Sequence, residues 1–120
     1  MNDKLKFEKM KNIFSEILIE KLGDLSESDD LAINYKKNMD EKFQTRLNLL
    51  NQAINFLDNA RSEKDELATQ TALLILRSQS MGFADFFNAI VNDIESILNK
   101  PKWIEIPEDY KIPEHYNFNE

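Results

Sequence analysis

The only histidine, His115, is the first residue to test for chemistry, because imidazole exchanges a proton near neutral pH. A nucleophilic triad would set it beside a serine on a sharp G-x-S-x-G turn, and the chain has no such motif. A zinc site would need H-E-x-x-H or E-x-x-H, and neither occurs. Between Glu114 and Tyr116, in a proline-punctuated stretch, His115 reads as a surface histidine. Acidic residues one helical turn apart on facing helices can bind Mg²⁺, since hard oxygen ligands suit that ion. The nearest approaches are Glu16 with Glu20, Asp65 with Glu66, and Asp93 with Glu95; none makes the dense E-x-x-E plus E-x-x-D constellation of helical hydrolases. Absence of cysteine removes thiolate chemistry and disulfides. Gly23 and Gly82 stand 59 residues apart, too far to share a phosphate loop. The expectation is a protein with no catalytic residue, metal or cofactor, with a helical metal-dependent hydrolase as the third-ranked alternative.

What remains is surface. Asn48, Asn51, Asn55 and Asn59 recur at spacings of 3, 4 and 4, which places four amides on one helical face. Asparagine is a poor helix former but can hydrogen-bond a partner without the desolvation cost of a charge. The last twenty residues hold Trp103, Tyr110, Ile112, Tyr116 and Phe118 among three prolines, Pro101, Pro107 and Pro113. Aromatic residues anchor interfaces, and a proline-stiffened segment loses little entropy on docking. Tyr110, Ile112, Tyr116 and Phe118, with the four asparagines, form the candidate partner-binding set. Trp103, Ile104 and Ile106 are expected to fold back over the helices.

All three prolines lie at or after Pro101, so the preceding residues are free to be helical. Phe7, Met10, Phe14, Ile17 and Leu22 make one amphipathic stripe, with Asn2 or Asp3 as its cap and Gly23 as its end. Ser26 or Ser28 in the acidic link 24–30 is placed to cap the next helix, expected from Asp29 to Arg61. In it Tyr35, Met39, Phe43, Leu47, Leu50, Ile54 and Leu57 follow spacings of 4, 4, 4, 3, 4 and 3, with a break at 38–40 left open. Ser62 and Asp65 resemble a capping box opening a third helix that runs to Lys100. There Leu73, Leu76, Ser80, Phe83, Phe87, Ile90, Ile94 and Ile97 keep their phase through Gly82, which favours one unbroken helix. A second stripe, Leu67, Leu74 and Met81, offers a face for the first helix.

The fold expected is therefore all-α: an antiparallel hairpin or bundle of three long helices, four if Gly82 breaks the last, over residues 1–100. An extended tail, 101–120, packs on the bundle or on a partner within a single domain. At 120 residues and 14.1 kDa, surface scaling predicts about 6,700 Å² exposed when folded against about 20,000 Å² unfolded, enough burial for a core without staples. The formal charge is 15 − 22 = −7, which disfavours direct binding to nucleic acid or anionic membranes. Residues 62–100 carry three basic against six acidic groups and 101–120 two against five, so the negative charge gathers toward the C-terminus. No run of about 20 apolar residues spans a bilayer, and the N-terminus lacks a secretory apolar core, so a cytoplasmic location is expected. Lys outnumbers Arg 12 to 3 and asparagine reaches 13, a bias of AT-rich coding DNA that fits a bacterial or phage source.

A small, acidic, cysteine-free helical chain resembles, in outline and through no motif, bacterial immunity proteins and phage-encoded inhibitors of host defence enzymes. That resemblance implies a non-enzymatic inhibitor that blocks a larger bacterial enzyme or toxin stoichiometrically. The alternative is a structural or assembly subunit that forms a homodimer through its heptads.

Overall fold

The computed structural model describes residues 4–22, 31–101 and 103–118, and over these it is all-helical. Three α-helices follow in order: α1 Phe7–Leu22, α2 Met39–Ser62 and α3 Glu66–Leu98, with a 3₁₀ turn at Glu114–Tyr116 in the tail. At 1.5 Å per residue, α2 and α3 are rods of about 36 and 50 Å. They pair as an antiparallel hairpin, and the shorter α1 lies against both. The expected caps Asn2, Asp3, Ser26 and Ser28 and the terminator Gly23 fall outside the described residues.

α2 starts later than its periodicity suggests. Asn38 is its N-cap, accepting from the Glu41 amide at 2.9 Å, and residues 31–38 form a loop. The cause is tertiary: Asp93, fully buried on α3, accepts from the amides of Ala32 and Ile33 and from the Tyr35 hydroxyl. Those amides serve the carboxylate instead of a helical ladder, so Tyr35 packs from a turn rather than from a helix.

The start of α3 also differs from the capping box. Ser62 closes α2, its hydroxyl donating to the Asp58 carbonyl, while Asp65 is itself the cap and accepts from the Ala68 amide at 3.0 Å. Lys64 turns the chain with φ 57°, a left-handed conformation that usually falls to glycine. No break occurs at Gly82, and α3 runs unbroken for 33 residues. The glycine serves a close approach: a Cβ built there would meet the Arg46 guanidinium tip, whose Cζ would lie at 3.4 Å. Because that tip is the far end of a flexible side chain, Gly82→Ala is expected to push it aside. Up to about 1 kcal/mol of helix propensity is then gained, read as a rise in denaturant midpoint.

Helices α1 and α2 exchange caps. Asp40, in the first turn of α2, accepts from the Phe7 and Glu8 amides at 2.8 and 3.3 Å, while Glu8 accepts from the Met39 amide at 2.8 Å. Buried Lys11 closes the joint by pairing with Glu8 and donating to the Lys37 carbonyl at 2.8 Å. The Lys11 bond and then the Met39 amide favour ionised Glu8 and hold its pKa below the ordinary 4.5. A depressed folded-state pKa adds stability that is complete above the unfolded value and is lost as pH falls through the folded one. The advantage of the native chain over Glu8→Gln should therefore be full at neutral pH and shrink below about pH 4.5, read from urea midpoints across that range.

The core is smaller than the chain length allows. Ile33, Met39, Phe86 and Ile90 form its centre, with Phe7, Met10, Phe14, Tyr35, Phe43 and Ala89 packed against them. Farther along the hairpin the buried positions are Ala53, Ala60 and Ala72, so small residues line that part of the seam and larger neighbours turn to its flanks. The surface totals 9,747 Å², about 3,000 Å² above the compact expectation of about 6,700 Å². The radius of gyration is 19.8 Å where a compact chain of this length would have about 14 Å.

Candidate functional site

Apolar side chains stand open at identifiable places among the described residues. On α3 the buried positions are Ala72, Phe86, Ile90, Asp93 and Ile97, so the seam toward the rest of the bundle runs one residue away from part of the stripe read in the sequence. Leu73, Phe87 and Ile94 belong to that stripe but stand 52%, 45% and 38% exposed. Leu67, Leu74 and Met81 are still more open, so they are not the face that α1 covers. On α2, Ile54 likewise stays outside the core.

Asn48, Asn51, Asn55 and Asn59 all face solvent along α2, on the side away from buried Ala53 and Ala60. One internal contact touches the stripe, Gln44 donating to Asn48 at 3.0 Å. The tail leaves α3 through a latch: the Trp103 indole donates to the Ile97 carbonyl at 2.8 Å, and the Lys21 ammonium sits 4.3 Å from the centre of its ring. Beyond the latch the expected folding back stops, with Ile104 and Ile106 89% and 77% exposed. The prolines deny this segment a helix. Tyr110, Ile112, Tyr116 and Phe118 are exposed as well. His115 stacks on Tyr116, ring centres 4.2 Å apart. Among the described residues no hydrogen bond or ring contact joins the tail set to the asparagine stripe, so the two are separate surfaces.

Two features were missed in the sequence. Asp93 continues the apolar spacing of Phe86, Ile90 and Ile97, and a carboxylate in such a row signals a buried acceptor. The other is a basic cavity of about 210 Å³. Lys37, Lys42 and Arg46 line it together with Asn34, Asp85 and the apolar side chains of Ile33, Met39 and Phe86. Arg46 Nε is buried there without a hydrogen-bond partner. Lys42 and Arg46, four apart on α2, share a face, but Lys37 comes from the loop that Asp93 holds, so only the fold assembles the set. Its chemistry suits an apolar side chain that carries or adjoins a carboxylate. Among the described residues no three His, Cys, Asp or Glu side chains gather in a way that could hold a metal ion. Nor is any described helix long and apolar enough to cross a membrane.

These features define an elongated three-helix protein with apolar and aromatic surface left open on the hairpin and the tail. Comparison with family models, with curated proteins and with solved structures finds no match.

Proposed function

We propose that the protein acts as a stoichiometric, non-enzymatic inhibitor, occupying a surface of a larger bacterial enzyme or toxin in the cytoplasm. The observation that carries this reading is the exposed tail: Ile104, Ile106, Tyr110, Tyr116 and Phe118 all stand open on a chain whose surface exceeds the compact expectation. Water-exposed apolar side chains in that number are a cost unless a partner covers them. Extended backbone with alternating aromatic and acidic residues suits insertion into a groove, and the asparagine face of α2, a separate surface, offers neutral hydrogen-bonding groups.

Removing the tail tests the proposal. The full chain, used as bait in bacterial lysate, should retain one partner at fixed stoichiometry, and a chain truncated after Pro107 should lose it. Because the described residues beyond Pro107 are all exposed and none belongs to the core, truncation should shift folding stability by less than about 0.5 kcal/mol. Equal retention by both chains, or retention by neither, counts against the inhibitor reading.

A further inference from the structure

The second apolar row on α3 has its own regularity. Leu73, Ser80, Ala84, Phe87, Val91, Ile94 and Leu98 follow spacings of 7, 4, 3, 4, 3 and 4, a coiled-coil seam along the helix. This row differs from the buried one, and Leu73, Phe87, Val91, Ile94 and Leu98 are 38% to 62% exposed. Arg77 fills the position between Leu73 and Ser80. One edge of the Phe87 ring meets Phe7 and Phe43 inside the chain, at 6.1 and 6.2 Å between centres, while the rest of the row stays half-open along the helix.

We infer that the open seam binds a second copy of the chain, α3 against α3 in antiparallel orientation, about a two-fold axis beside residues 85 and 86. Two properties of the row choose this occupant. The first is self-complementarity in size. About that axis Ala84 meets Phe87 of the other copy, Ser80 meets Val91, and Leu73 meets Leu98, so each small residue at the centre faces a large one. An isologous contact requires that reciprocity, and antiparallel helices pair their seam positions in this alternation. Charge gives the second. Arg77 falls opposite Ile94, beside Glu95 on the same flank, so its stem covers the isoleucine while its guanidinium reaches the carboxylate, twice per dimer. Both residues are solvent-exposed in the single chain. Parallel pairing would instead set Arg77 against Arg77.

The inference stands apart from the inhibitor reading, since it uses neither the tail nor the asparagine stripe, and a dimer would carry two copies of each. Sedimentation of the full chain at micromolar concentration should give twice the 14.1 kDa chain mass. Arg77→Glu should weaken self-association at least tenfold with unchanged helix content, and adding Glu95→Arg should restore it. Arg77 and Glu95 lie on the exposed flank, so these variants keep the fold where a charge placed at Val91 could disturb it. The cysteine-free chain also allows single spin labels outside the seam. Labels at Asn88→Cys should lie close together, about 8 Å apart along the axis, and labels at Gln70→Cys about 46 Å apart. A monomeric mass at 100 µM overturns the dimer. A dimer indifferent to Arg77→Glu, or one with close labels at residue 70, overturns the antiparallel register. Loss of lysate partner capture by the truncated chain, with the dimer intact, separates the two readings.

Discussion

Asp93→Ala is expected to destabilise the fold by about 3 kcal/mol, because the Ala32 and Ile33 amides would be left without their acceptor and each buried donor costs about 1 to 3 kcal/mol. The carboxylate is fully buried and also accepts from the Tyr35 hydroxyl at 3.0 Å. For a chain of this size that loss corresponds to a melting temperature lower by about 12 °C. Partial substitutions grade the effect. Asp93→Asn keeps one acceptor and should lose about half as much, and Tyr35→Phe, which removes one bond, about 1 kcal/mol. The loop that Asp93 holds also delivers Ile33 and Met39 to Phe86 and Ile90, so the alanine variant should loosen packing around Phe86 as well. Urea midpoints for the three variants test the order. An Asp93→Ala chain within 0.5 kcal/mol of the native one would show that the loop is held by packing alone.

Phe86→Ala is expected to cost about 3 to 4 kcal/mol, the range for truncating a buried phenylalanine. Phe86 is buried at the meeting of all three helices, with ring centres of Phe7, Phe87 and Phe43 at 5.1, 5.3 and 5.5 Å. The edge-to-face geometry with Phe7 and Phe87 adds to the area it buries. Its neighbour Phe87 supplies the contrast. At 45% exposed, Phe87→Ala should cost about 1 kcal/mol in the single chain and show its larger effect on self-association. Denaturation at matched protein concentrations separates these contributions, since dimer formation makes apparent stability depend on concentration.

Element types were legible because helical periodicity is a local property. The apolar spacing of α3 kept phase through Gly82, and the helix is unbroken there. The confinement of proline to the tail foretold where helix stops. Boundaries were less legible, and the start of α2 shows why. Residues 31–37 carry the pattern of a helix, but their amides are claimed by a carboxylate about sixty positions away. Of the candidate site, the tail and the asparagine stripe were readable as residue types on exposed faces, whereas the basic cavity combines a loop lysine with two α2 cations.

From the sequence alone followed three helices, a hairpin closing next to Ser62, an α3 in phase through Gly82 and a tail unable to be helical, since all depend on spacing, caps and backbone chemistry within a few residues. Tertiary structure decided which of two adjacent rows on α3 became the interior. A shift of one residue turns a helix by about 100°, so Leu73, Phe87 and Ile94 lie outside while Ala72, Phe86 and Asp93 lie inside. Local pattern cannot choose between rows that are both apolar. The choice came from contacts distant in sequence: alanines that let α2 approach closely, aromatic rings gathered from three helices, and a carboxylate that needed the loop amides.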